Sequence, residues 1–158
     1  MGDFYISPSR GRLTLAELFA DIVSYVEEDP EANYRLIIGT DSQTREELTF
    51  VTAIVIHRQG KGARYFYRRT QQRKIESLRQ RIYLEAAMSL TVASQLTDLL
   101  AAQGHPELNI EIHLDLGHEG DTKHLIREIV GMVIGSGFDA RIKPESYGAS
   151  SVADRYTK

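Results

Sequence analysis

The sequence predicts a mixed α/β fold: a five-stranded sheet in which three antiparallel strands are followed by two strands reached through parallel crossovers, with helices on both faces and an extra helix at the N-terminal side. Three observations carry this prediction. After one helical stretch, the apolar periodicities run strand, strand, strand, helix, strand, helix, strand, helix. The first three strands are separated by short turns, which only antiparallel neighbours tolerate. The later ones are separated by helical stretches, which make right-handed parallel crossovers.

Each element has its own signal. Leu15, Leu18, Phe19, Ile22 and Val26 recur at helical spacing between Leu13 and Val26. Thr14 and Glu17 are placed to form a capping box at its start, and Asp29-Pro30 stops it. Arg35 to Asp41 reads as a short buried strand running into a polar turn. Leu48 to His57, rich in Val, Ile, Thr and Phe, is the second strand, and Ala63 to Thr70 the third, with Gln59-Gly-Lys-Gly62 as the hairpin between them. Ile75 to Gln103 is the longest helix, with an apolar stripe through Ile75, Leu78, Ile82, Ala86, Ala93, Leu96 and Leu100; Gly104 and Pro106 end it. From Asn109 to Asp115 the pattern alternates, Ile110, Ile112 and Leu114 against Glu111, His113 and Asp115. Asp121 is a good N-cap for a helix through Ile134. Phe138 to Lys143 is the fifth strand, and Ser150 to Tyr156 a short terminal helix. No repeat or linker interrupts the chain, so residues 1–158 are expected to form one domain, with 1–30 as an N-terminal extension carrying the extra helix.

Composition narrows the chemistry. The chain has 158 residues, 42% hydrophobic and 26% charged, with a formal net charge of -3, so it belongs with globular proteins and any basic surface has to be local. There is no cysteine, which excludes disulfides and thiolate metal sites. Carboxylate and imidazole remain, and they favour a hard cation such as Mg²⁺ or Mn²⁺. Met1 to Gly11 lacks the apolar core of a signal peptide and no run reaches the length of a membrane span, so the expected location is the cytoplasm.

Four acids stand out by position. Asp41 and Asp115 each close a predicted strand, and ligands gather beyond the carboxyl ends of parallel strands. Either one alone also suits a turn residue. Glu85 lies one helical step from Ile82 and Leu78 at the edge of the apolar stripe, where a carboxylate is costly unless it is paired, bonded or bound to a cation. A boundary glutamate that reaches solvent or pairs with Arg81 is the alternative. Asp154 falls in the terminal stretch, where a first-turn acid also suits the helix dipole. Brought together, four carboxylates raise one another's pKa unless cations compensate them. Two divalent ions roughly 3.5–4 Å apart are the solution used by nucleases and polymerases.

Ile38-Gly-Thr-Asp-Ser-Gln43, Ile112-His-Leu-Asp-Leu-Gly117, Gly131 to Phe138 and Ser150 to Tyr156 resemble the YkuK-type family of bacterial ribonuclease H-like proteins. The element order from Arg35 onward resembles the wider ribonuclease H superfamily. The resemblance implies that Asp41 is the first-strand aspartate that bridges both metals, Glu85 the helix glutamate, Asp115 the fourth-strand aspartate and Asp154 the aspartate of the terminal helix. It further implies two Mg²⁺ or Mn²⁺ ions and hydrolysis of phosphodiester bonds in RNA or DNA. A non-catalytic ribonuclease H-like module that binds nucleic acid or protein, its metal site vestigial or structural, is the competing expectation.

Gln43, His118, Lys123 and Lys143 are the candidate substrate contacts around these acids. The basic stretch Arg64, Arg68, Arg69, Arg73, Lys74, Arg79 and Arg81, interleaved with Tyr65, Phe66, Tyr67 and Tyr83, fits a phosphate-backbone surface and a solvated strand face equally well. A second, partly apolar side of the long helix (Leu84, Ala87, Met88, Thr91) is compatible with a homodimer.

Overall fold

The computed structural model describes residues 4–44, 46–75, 77–105, 108–118, 120, 122–143, 146 and 156. In chain order the elements are β1 (Phe4–Ser7), β2 (Gly11–Thr14), α1 (Leu15–Glu28), β3 (Tyr34–Thr44), β4 (Leu48–Arg58), β5 (Gly62–Gln72), α2 (Leu78–Ala102), β6 (Ile110–His113), a 3-10 turn at Lys123–Leu125, α3 (Ile126–Gly135) and β7 (Asp139–Arg141). They build one mixed sheet of order β2-β1-β5-β4-β3-β6-β7. The β3-β4-β5 meander is antiparallel throughout, and β6 and β7 add in parallel. From α1 to β7 the expected order of elements therefore stands.

The sheet has seven strands rather than the five expected. The two extra ones form an N-terminal hairpin in which Phe4 to Ser7 pair with Gly11 to Thr14, and β1 joins the edge of the meander at Ile6↔Tyr67. Each strand is only four residues long, too short for alternation to register. The Ser7 hydroxyl accepts from the Arg10 amide inside the turn, and Gly11 sits at φ 76°, which suits glycine. Tyr5 and Leu13, one from each strand, are buried in the main core, so tertiary contact and not local pattern makes the hairpin.

Thr14 then ends β2 and caps α1. Its side chain accepts from the Glu17 amide at 3.1 Å while the Glu17 carboxylate accepts from the Thr14 amide at 2.9 Å, the reciprocal box expected from the sequence. Thr14→Ala should destabilise the protein by about 1 kcal/mol. A urea titration with an unchanged slope and a lower midpoint is the expected result; an unchanged midpoint would show the box to be idle.

The expectation of helices on both faces needs correcting for the described residues. Leu18 and Ile22 of α1, Ala86, Val92 and Leu96 of α2, and Ile129 and Val133 of α3 all pack into one core against Leu36, Ile38, Ile54, Ile56 and Ile112 of the sheet. The opposite face has a smaller cluster of Ile37, Val51, Ala53 and Val55, against which Tyr65, Tyr67 and Tyr156 pack. The two faces alternate along β3 as the pleat requires: Leu36 and Ile38 one way, Ile37 the other. The proposed terminal helix, apart from Tyr156, lies outside the described residues.

Candidate metal and nucleic-acid site

β3 carries the first acid, but not at its end. It runs on to Thr44↔Leu48 against β4, whereas its pairing with β6 stops at Gly39↔His113. Asp41 is thus inside an antiparallel hairpin yet just past the carboxyl end of the parallel pair. Asp115, two residues beyond His113, leaves β6 at the same level. The β6–β7 ladder continues past both strands, since Leu114 N–H donates to Arg141 C=O at 2.8 Å and Lys143 N–H to Leu116 C=O at 2.7 Å. These bonds hold the Asp115 backbone in place and bring Lys143 to its side, with Nζ 2.7 Å from the carboxylate.

α2 crosses above. Glu85 and Ser89, one helical turn apart, face Ser42 and Thr40, two strand residues apart; the two spacings nearly match, about 6 and 7 Å. Ser42 Oγ donates to Glu85 Oε2 at 2.5 Å, and Thr40, Thr52 and Ser89 share a buried hydroxyl network at 2.8 and 3.0 Å. Arg81 does not pair directly with Glu85 through a hydrogen bond. Its guanidinium donates to the Ser42 hydroxyl at 3.1 Å and to the Ser42 carbonyl at 3.3 Å. Ser42 and Arg81 therefore orient the glutamate, and the Ser42 role was not visible in the sequence, where the residue reads as part of a polar turn.

Glu85 is only 7% exposed. Burial pushes its carboxyl up to about 8, against the opposing pull of the Ser42 hydrogen bond, and the negative charges of Asp41 and Asp115 push the same way as burial. Lys143 is held above its ordinary value by its hydrogen bond to Asp115, with Asp41 and Glu85 adding to the effect. Three of the four acids thus share one electrostatic neighbourhood with Lys143 as their cation. They are not drawn tightly together: among the described residues, no group of three or more His, Asp or Glu side chains is placed to hold one metal ion. A cavity of about 10 Å³ among Thr40, Glu85, Ser89, His113 and Asp115 has room for one water. Asp154 lies outside the described residues.

The other candidates scatter around this point. Gln43 is half-buried near the end of β3, His118 is exposed in the loop after Asp115, and Lys123 is exposed in the 3-10 turn. Of the four, among the described residues, Lys143 is the one bonded to an acid of the site. On the second face of β6 lies a network the sequence did not reveal. Arg35 clasps Glu111 through two bonds at 2.7 and 2.5 Å, and Glu111 Oε1 is 3.1 Å from His113 Nε2. Arg35 holds the Glu111 carboxyl down at about 2, despite the opposing effect of burial. Burial lowers the His113 pKa, so the ring is neutral and donates Nε2–H to the carboxylate. The alternation puts Glu111 and His113 on the face opposite Ile110 and Ile112, and both are buried there.

A family model described as ribonuclease H-like matches residues 17–158. The chain belongs to the ribonuclease H-like family. It is also 40% identical, over 95% of its own length and 94% of the relative's, to a protein from Bacillus subtilis (strain 168) named "Uncharacterized protein YkuK". No solved structure gives a significant match. The ribonuclease H-like match begins inside α1 and takes in β3 and α2, which carry Asp41 and Glu85, and β6 with Asp115 two residues after it. Among the described residues, no helix is long and apolar enough to cross a membrane.

Proposed function

We propose that this ribonuclease H-like chain is a nuclease that depends on two divalent cations, and that Asp41, Glu85, Asp115 and Asp154 hold them. The observation that carries the reading is Glu85: a buried carboxylate whose charge is opposed by those of Asp41 and Asp115. A donor set of carboxylate oxygens under mutual repulsion fits Mg²⁺ or Mn²⁺, and Lys143 already supplies positive charge at the same place. What such ions supply when bound is activation of water and neutralisation of charge on a phosphodiester.

The chain's own groups have separate tasks. Arg81 fixes Ser42, and Ser42 fixes the Glu85 carboxylate. The Lys143 ammonium, 61% exposed, is within reach of a phosphate oxygen once Asp115 has another partner. Gln43, His118 and Lys123 line the approach as contacts to the nucleic-acid strand. No protein nucleophile is needed.

A second reading, a nucleic-acid- or protein-binding module without turnover, is favoured by one observation: Asp115 is already neutralised by Lys143. Labelled single strands, duplexes and RNA–DNA hybrids, incubated with Mn²⁺ or with EDTA, separate the two. The nuclease reading expects Mn²⁺-dependent cleavage that Asp41→Asn removes. Cleavage that survives Asp41→Asn, or binding with no cleavage of any substrate, rejects it.

A further inference from the structure

The fold divides the basic stretch of the sequence into charges it uses and charges it does not. Arg64 pairs with Asp21 and Glu28, Arg79 pairs with Glu128, and Arg81 donates to Ser42. Arg68 lies over the Tyr5 ring, 4.8 Å from its centroid. Arg69 instead faces a neutral acceptor, the Tyr156 backbone carbonyl, to which it donates through Nε at 3.1 Å and Nη2 at 2.7 Å. Strand alternation puts Arg69 on the second face of β5 with Tyr65, Tyr67 and Gln71, and Arg73 and Lys74 follow, exposed, just past the strand. Two aromatic rings thus lead into a row of polar and cationic side chains along one strand.

Tyr156 sits on this row as a ligand would. Its ring lies on that of Tyr67 with centroids 3.8 Å apart and planes 12° apart. That parallel stack is closer than the roughly 4.5–7 Å common among aromatic side-chain pairs, and a flat seat of this kind suits a nucleobase. The Tyr156 hydroxyl is 3.0 Å from that of Tyr65. Ring face, hydroxyl and guanidinium fork are together what one nucleotide needs: stacking for the base, a hydroxyl for a polar base edge or the sugar, and a fork for a phosphate oxygen.

We propose that Tyr65, Tyr67 and Arg69 form a subsite for one nucleotide of a single-stranded nucleic acid, and that Tyr156 is an internal competitor that closes it. Charge complementarity selects this occupant. A guanidinium bond to a phosphate oxygen is about twice as strong as one to a neutral carbonyl, so a phosphodiester gains at Arg69 what the plug does not offer. Every base has a face to lay on Tyr67, and a duplex hides it, so the subsite takes single strands. The plug is tethered, and it lowers the apparent affinity by the fraction of time the site stands open. Arg69 pairs with Val51 and Val51 with Asp41, which puts the subsite on the same face as Asp41, two strands or about 10 Å away. The inference rests on the nuclease reading for the class of ligand, and extends it to β5, which carries none of the proposed metal ligands.

Fluorescence anisotropy of short labelled oligothymidylate and oligouridylate in EDTA tests the subsite without cleavage. Tyr156→Ala should bind about tenfold more tightly than the parent, the gain expected when a plug closed for about nine-tenths of the time is removed. Adding Tyr67→Leu should cancel the gain. Adding Arg69→Ala should cancel it too, and reduce the slope of log affinity against log salt by about 0.7, the share of one phosphate on a single strand. Tyr156→Phe, which keeps the stack, should bind close to the parent. The two polymers separate DNA from RNA as the preferred strand. Should Tyr156→Ala not fold, oligonucleotides carrying 5-iodouracil, irradiated with the parent protein, should give adducts at Tyr65 or Tyr67. No tightening in a folded Tyr156→Ala, adducts only elsewhere, or a site that takes the isolated peptide of residues 150–158 and no oligonucleotide overturns the proposal. Plug-dependent binding in a protein that cleaves nothing with Mn²⁺ leaves the subsite standing and rejects the nuclease reading. Cleavage with Mn²⁺ but binding indifferent to Tyr156 and Tyr67 does the reverse.

Discussion

Glu85→Gln is expected to lower Mn²⁺-dependent cleavage by about 10³-fold while leaving the protein as stable as the parent or more so, since cation-held charge stabilisation is worth several kcal/mol at about 1.4 kcal/mol per decade. The two halves of the result have one cause. Glutamine has the shape of a protonated glutamate and can still accept from Ser42, so the hydroxyl pair under α2 survives. It cannot carry the negative charge that a divalent cation requires. It also removes a cost: the native carboxyl has a pKa of about 8 in the fold and an ordinary value of 4.5. The folded state therefore binds more protons than the unfolded one between those values, and stability falls as pH rises through that window. The advantage of Glu85→Gln should accordingly be absent near pH 4, grow towards pH 8 and then level off. Thermal melts at several pH values, run without metal, provide the check; a glutamine variant less stable than the parent at pH 8 would show that Glu85 is ionised and already compensated. Added Mg²⁺ should raise the melting temperature of the parent and not of the variant.

The second large effect lies outside the proposed chemistry. Glu111→Ala should destabilise the fold by about 2–3 kcal/mol, somewhat below the usual cost of breaking a buried pair because Arg35 keeps partial access to solvent. The Glu111 side chain is 10% exposed and that of Arg35 32%. Removing the carboxylate strands the Arg35 guanidinium and leaves both nitrogens of His113 without a partner, since Nδ1 already has none. In a domain of this size the loss corresponds to about 5–10 °C in Tm. Glu111→Gln, which keeps an acceptor for His113, should lose less. The pH dependence has the opposite sign to that of Glu85. The Glu111 carboxyl falls from 4.5 to about 2 on folding, so its contribution is complete above pH 4.5 and disappears as pH drops towards 2. Parent and Glu111→Ala should converge in stability across that acid window. After discount for the exposed side of Arg35, the carboxyl accounts for about 2 kcal/mol of acid sensitivity. A constant gap between the two proteins from pH 6 to pH 2.5 would contradict the assignment.

Much of this architecture was legible in one dimension because its signals are local. The period of apolar residues set α1 and α2 to within a few residues, the Thr14 and Glu17 pair marked where α1 begins, and Gln59 to Gly62 marked the β4–β5 hairpin. Asp41, Glu85 and Asp115 were singled out by their position on predicted elements, and the fold brings those elements together. What was not legible depends on distant partners. The β1–β2 hairpin exists because Tyr5 and Leu13 find a core contributed by residues far along the chain. The sequence turns polar after Asp41 and so predicts a strand end there, whereas β4 continues to pair with β3 for three more residues.

The sequence by itself determined the order of elements, the acids available for a hard cation and the absence of any thiol chemistry. Only the tertiary structure decided what each acid experiences. Burial and two neighbouring carboxylates raise Glu85, an arginine lowers Glu111, and a lysine from β7's far end neutralises Asp115. The physical reason is that secondary structure follows from side-chain period and capping within a few residues, while the free energy of a charge depends on the dielectric and the charges around it in space. Those neighbours come from β3, α2, β6 and β7, and no local pattern records their distances.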